Sequence, residues 1–188
     1  DSIIKGLKRG YDFEQMTRNA RQKMADLVGI KAVKNNLLNA FFPEVTICIV
    51  TWNGIDLLKK CLSSIDSYTH YPNYKIVVYS NACIDGTVEY LKKMATTNQR
   101  IIPVFAETNE VFVKPNNKMM RLFPKNEIVL LNNDTEVTNN WLLELHRAAY
   151  ASKRIGIAGS KILYPDGRLQ EYGAELYAHG AGQNIGKR

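Results

Sequence analysis

The stretch NEIVLLNNDTEVTNNWLLEL, residues 126–145, contains an apolar run that stops abruptly in Asn132-Asn133-Asp134-Thr135-Glu136. The run EIVLLN (127–132), bounded by turn-forming residues, predicts a buried strand, and residues 139–151 read as the helix that follows it. Small polar and acidic side chains are therefore gathered where a buried strand ends.

The same grammar recurs three times upstream. VTICIVT (45–51) precedes IDLLKKCLSSI (55–65), where Leu58, Leu62 and Ile65 fall at helical intervals. KIVVY (75–79) precedes TVEYLKKMA (87–95), and RIIPVF (100–105) precedes the short helical piece NNKMMRLF (116–123). Nearly continuous apolar strands alternating with helices predict an α/β fold, a mostly parallel sheet with helices on both faces and right-handed crossovers. Ligands of such sheets bind beyond the carboxyl ends of the strands. Here those ends carry WNG (52–54), SNACIDGT (80–87), AETNEVFVKPNN (106–117) and NNDTEVT (132–138), all polar and all on one edge. Neither a G-x-G-x-x-G after the first strand nor a G-x-x-x-x-G-K-S/T is present, so phosphate recognition needs another device. A strand-end carboxylate holding Mg²⁺ or Mn²⁺, which shares its other positions with diphosphate oxygens and water, would be one.

The 188 residues, 45% hydrophobic and 23% charged, suffice for one well-buried domain. No apolar run approaches the roughly 18–20 residues of a membrane span, and the three cysteines, Cys48, Cys61 and Cys83, lack close ligand spacing; a reducing, cytoplasmic setting is expected. The formal charge of +7 suits an anionic partner, whether nucleic acid, lipid surface or sugar nucleotide. Residues 1–43 hold eight Lys or Arg against four Asp or Glu, with Met16, Ala20, Met24 and Leu27 at helical spacing and Gly29 as a helix stop. This segment reads as a basic helical N-terminal layer or linker, dispensable for folding of the sheet. Either it is a solvated connector, or it docks on a membrane surface or a protein.

Taken together, VTICIVTWNGIDLLKKCLSSI, DGTVEYL, FVKPNN, LLNNDTEVTNNWLLEL and IGIAGSKILYPDGRLQEYGAEL resemble the nucleotide-binding half of family 2 glycosyltransferases with the GT-A (Rossmann-like) fold, over residues 44 to 176. The resemblance implies a domain at 44–188 whose acceptor-binding part is absent from this chain. It also implies sugar transfer from a nucleotide-diphosphate donor to an acceptor hydroxyl, with inversion and a divalent metal. A UDP- or dTDP-sugar is the implied donor and a glycan or lipid-linked molecule the acceptor, as in polysaccharide biosynthesis; nucleic acid is not an implied partner. Such an enzyme is expected in the cytoplasm, at most peripheral to the inner face of a membrane.

Carried over by position, Asp134 corresponds to the final acid of the family's D-x-D-like motif, the metal ligand, with Asn132 and Asn133 in its earlier positions. These asparagines suit hydrogen bonds to ribose or sugar hydroxyls, but also plain turn formation, and Asp134 equally suits an Asx turn. Thr51, Trp52 and Asn53 match the first nucleotide loop. Asn109, Asn116 and Asn117 match the loop before the third helix, where they shape the donor pocket or cap the helix of Met119. For Asp85, capping of the following helix is the favoured reading.

Three departures stand out. Ser80 occupies the place of the acid that reads a pyrimidine base, exchanging a charge-assisted bond for a neutral one. Val111 stands where a glycine is usual and Pro115 where a small residue is usual, so a changed course is expected for the third loop. The family's catalytic base belongs to a segment beyond Arg188, and neither Glu136, Glu171 nor Glu175 matches its motif; the catalytic residue is unassigned. His146 and His179 lack partners at metal spacing, and the Gly-rich tail HGAGQNIG (179–186) is expected to be mobile. The alternatives are a catalytically inactive nucleotide-binding module of the same fold and a scaffold docked through its basic helices. A nucleotidyltransferase would want a second metal-binding acid and a basic Gly-rich loop, which the sequence lacks.

Overall fold

The computed structural model describes residues 41–179 and 181–185, so the expected helices of residues 1–40 lie outside the described residues. Four βα units follow in series: β1 (Val45–Thr51), α1 (Ile55–Tyr68), β2 (Tyr74–Asn81), α2 (Thr87–Thr97), β3 (Ile101–Ala106), α3 (Val113–Leu122), β4 (Glu127–Asn132) and α4 (Trp141–Tyr150). The strands form one parallel sheet in the order β3-β2-β1-β4.

Alternation along the strands divides the core into two layers. Val45, Ile47, Ile49, Ile76 and Val78 point to one face, where Leu58, Cys61, Leu62 and Ile65 of α1, Leu91 of α2 and Leu142 of α4 cover them. In α1 those four residues repeat at the i, i+3, i+4, i+7 spacing of a helix that buries a single stripe. Cys48, Val77 and Tyr79 point to the other face, which is closed by Met119 of α3. The two crossovers that advance from β1 to β3 lie on one side and the returning crossover, α3, lies on the other, as right-handed connections require. Truncating a fully buried side chain such as Leu58 would cost about 2–5 kcal/mol.

Beyond α4 two small antiparallel pairs follow, β5 (Ile162–Leu163) with β6 (Leu169–Glu171) and β7 (Ala174–Leu176) with β8 (Gly182–Asn184). Gly167, with φ 84°, turns the first pair through the hydrogen bond from Gly167 N to Tyr164 O. The tail expected to be mobile therefore contributes β8 to a hairpin, and within it the rings of Tyr177 and His179 stack at 5.6 Å. Main-chain pairing of this kind needs no apolar pattern, which is why composition gave no sign of it.

Candidate active site at the carboxyl edge of the sheet

Strand order reverses at β1, because β2 lies on one side of it and β4, the last strand of this sheet in chain order, on the other. In sheets of this kind the ligand crevice lies at such a switch point, which the loops after β1 and β4 flank here. Thr51 and Asn133 meet across it, Asn133 Nδ2 donating to Thr51 Oγ1 at 3.0 Å. Thr51 Oγ1 in turn donates to Asn53 O at 3.0 Å. Asn53 and Gly54 are both left-handed, at φ 60° and 76°, conformations that Asn and Gly accept most readily. This double turn brings the chain so close to the fourth loop that a Cβ on Gly54 would stand 3.9 Å from Asn133 Nδ2. Trp52, at the crest of the turn, is 63% exposed.

The second loop braces the first. Asn53 Oδ1 accepts from Ile84 N at 2.9 Å, Asn53 N donates to Cys83 Sγ at 3.2 Å, and Cys83 Sγ donates to Thr51 O at 3.3 Å. Asp85 accepts from Ile55 N at 2.9 Å through one carboxylate oxygen, and from Thr87 N and Thr87 Oγ1 at 3.3 and 2.6 Å through the other. One carboxylate thus fixes the starts of both α1 and α2, so helix capping is its observed role. Burial works against the charge of Asp85, but the bonds from Thr87 and Ile55 outweigh it and hold the carboxyl below its ordinary range.

Asp134 has a different environment. It is exposed, and among the described residues its carboxylate accepts no hydrogen bond and enters no ion pair. Asn132 is likewise exposed, while its carbonyl accepts a weak bond from Cys61 Sγ at 3.7 Å. The Cys61 thiol is pushed up to about 12, chiefly by burial and further by the negative charges of Asp134 and Glu136. Two carboxylates thus bear on this end of the crevice. No group of three or more His, Cys, Asp or Glu among the described residues could enclose a metal ion. The donor set at Asp134 suits a cation that takes one or two protein carboxylates and completes its shell from ligand oxygens and water, the habit of Mg²⁺.

Ser80, the penultimate residue of β2, lies beside Thr51 in the register. It is only 1% exposed, and its Oγ has no hydrogen-bond partner among the described residues. The neighbouring Asn81, which the sequence reading passed over, is also buried and ties down the third loop. Its Oδ1 accepts from Glu110 N, while its Nδ2 donates to Asn109 Oδ1 and Val111 O, all at 2.8 Å. Asn109 Oδ1 also accepts from Val111 N at 2.8 Å. The one available sequence signal was that two polar residues, Ser80 and Asn81, extend an otherwise apolar strand.

Helix α3 starts at Val113, so Pro115 falls in its first turn, where the missing N–H costs nothing. Asn116 is consequently buried, with Nδ2 bonded to Phe112 O at 2.9 Å. Asn117 lines a separate depression with Glu110, Lys114 and Lys118, to which no residue of the first or fourth loop contributes. The structure therefore brings together Thr51, Trp52, Asn53, Asn132, Asn133 and Asp134, sets Ser80 beneath them, and leaves Asn109, Asn116 and Asn117 with the third loop and its helix.

Solved structures share this architecture. The mannosyltransferase PcManGT of Pyrobaculum calidifontis, solved with GDP-Man and Mn²⁺, superposes with a TM-score of 0.53 at 21% identity, over 66% of this chain and 36% of its own. TarS of S. aureus gives a TM-score of 0.50 at 16% identity, over 57% of this chain and 20% of its own. At these identities the likeness is one of fold, and the fold is GT-A. Among curated relatives, the uncharacterized protein y4gI of Sinorhizobium fredii is 30% identical over 137 residues, covering 71% of this chain and 15% of the relative. The O-antigen biosynthesis protein RfbC of Myxococcus xanthus is 27% identical over 133 residues, covering 70% of this chain and 10% of the relative. The chain thus spans a small part of the length of either. Residues 46–187 match Glycosyl transferase family 2, and the chain belongs to that family.

Proposed function

We propose that this chain is the donor-binding part of a glycosyltransferase that moves a sugar from a nucleotide diphosphate, a UDP- or dTDP-sugar, to an acceptor hydroxyl of a glycan or lipid-linked molecule, with inversion. The observation that carries this reading is the junction of Thr51 and Asn133 across the switch point, beside the unpartnered carboxylate of Asp134. Exposed Trp52 offers a face for the base, and Asn53 and Asn132 offer amide groups to ribose and sugar hydroxyls. Asp134 would hold Mg²⁺ or Mn²⁺, which when bound supplies positive charge to the diphosphate leaving group. Residues 1–43 are assigned a docking or linking role outside the sheet, and the setting is cytoplasmic, at most peripheral to a membrane. No helix among the described residues is long and apolar enough to cross one.

The buried, unpartnered Ser80 in place of a base-reading acid favours a second reading, a nucleotide-binding module without turnover. Calorimetric titration with UDP, with and without Mn²⁺, tests both. The transferase reading expects Mn²⁺-dependent affinity that falls at least about tenfold in Asp134→Asn, together with slow release of UDP from a UDP-sugar. Metal-independent affinity, unchanged by that substitution and without UDP release, would leave the second reading. No affinity for nucleotides at all would remove both and favour a scaffold.

A further inference from the structure

The third loop exposes three consecutive apolar side chains, Val111, Phe112 and Val113, at 76%, 48% and 68%. Val111 does so from a left-handed backbone, φ 62°, which sterically penalises a β-branched residue and which a glycine would adopt freely. Asn81 Nδ2, donating to its carbonyl, and Asn109 Oδ1, accepting from its N–H, hold it there. The side chain strains the fold and packs against little inside it. Its contribution must be sought outside the molecule.

Just behind this crest, Lys114, Lys118 and Arg121 line an open depression of about 400 Å³. Glu110 gathers two of these cations, bonding Lys114 at 2.8 Å and Lys118 at 2.7 Å, and accepts from Tyr79 Oη at 2.6 Å. Three cations against one carboxylate leave the depression positive. A soluble phosphate or nucleotide would use the cations and ignore the apolar crest. Hydrocarbon at a tip with cations behind it matches the layers of an anionic bilayer, phosphates outside and acyl chains within.

We propose that the β3–α3 crest is a membrane-interface anchor: Val111, Phe112 and Val113 enter the boundary between headgroups and acyl chains of an anionic phospholipid bilayer, and Lys114, Lys118 and Arg121 bind its phosphates. These residues lie outside the segment 1–43 in the sequence, and the proposal stands independently of the transferase reading. The crest shares the carboxyl edge of the sheet with the crevice, so docking would present the crevice to molecules held at the bilayer.

Co-sedimentation of the full chain, without nucleotide, on vesicles of phosphatidylcholine and on equimolar phosphatidylcholine and phosphatidylglycerol tests it. The expected result is partitioning onto the anionic vesicles alone, weakening with salt. The partition coefficient should fall about thirtyfold in Lys114→Gln/Arg121→Gln and about tenfold in Val111→Gly/Val113→Ser. Val111→Gly alone should lower partitioning while raising the melting temperature, so that a loss of binding is not a loss of fold. Absence of binding to anionic vesicles overturns the proposal. So does binding that both crest variants retain in full, which would move the anchor elsewhere in the chain, residues 1–43 included.

Discussion

The first three strand-end loops and the fourth are built on opposite plans. In the first three, polar side chains are engaged by the protein itself: Asn53 by Ile84, Asp85 by Ile55 and Thr87, Asn81 by Glu110, Asn109 and Val111. In the fourth, Asn133 alone reaches back to Thr51, while Asn132 and Asp134 turn to solvent. Two aspartates at the same sheet edge therefore serve different ends, one organising helices and the other leaving its charge available. An acid close to a motif position says little about role until its hydrogen bonds are counted.

That contrast can be broken by substitution. The largest effect is expected at Asn81, whose buried amide makes three bonds: Asn81→Ala should lower the unfolding free energy by about 3 kcal/mol, read by urea denaturation. A loss below about 1 kcal/mol would show that the third loop holds its course without it. Asp85→Asn should cost about 1–2 kcal/mol, since both carboxylate oxygens accept hydrogen bonds and the NH2 group that replaces one of them cannot. Its acid dependence has a definite sign. The folded state depresses the Asp85 carboxyl, so the stabilisation is present above its ordinary value near 3.8 and is lost as pH falls through the lower folded value. Glu110, held down to about 2 by Lys114, Lys118 and Tyr79, behaves alike below its ordinary 4.5. An acid titration of Asp85→Asn should therefore be shallower than wild type, with the Glu110 contribution still present.

Ser80→Ala should raise stability by up to about 1 kcal/mol, because it removes a buried hydroxyl that has no partner among the described residues. A drop in thermal melting instead would reveal a partner for that hydroxyl and bring Ser80 into the class of engaged residues. The smallest effect is expected at Asp134, where Asn should shift stability by no more than about 0.5 kcal/mol. A larger loss would place Asp134 with Asp85 among the structural acids and undo the comparison.

Strands β1 and β2 were legible because buried parallel strands leave nearly unbroken apolar runs, and VTICIVT coincides with β1 residue for residue. EIVLLN is a strand as expected but not a buried one, because β4 lies at an edge of the sheet and Leu130 is half exposed. Helix α3 was less so. The expected helix began at Asn116, whereas the chain turns helical at Val113; that shift carries Asn116 into the core and Asn117 onto the outer face. Proline at position 115 concealed the earlier start, since a proline before the apolar pattern reads as a breaker although a first turn accommodates it. At position 111, where the resemblance expects a glycine, valine adopts the left-handed conformation that glycine accepts most readily, φ 62°. What the sequence could not disclose is the internal wiring of Asn81, Cys83 and Glu110, because hydrogen-bond partners some thirty residues away leave no periodic trace.

The position of β4 beside β1 also governs when the crevice comes into being. Bonds between the first and second loops join residues about 31 apart in the chain, whereas the Thr51–Asn133 junction spans 82. Closing the longer loop demands more chain entropy and must await the pairing of β4. A chain folded only as far as β3 possesses the first three loops but not the crevice. Any ligand that needs both walls therefore binds only molecules in which β4 has joined the sheet, and its stabilisation falls entirely on the four-stranded state.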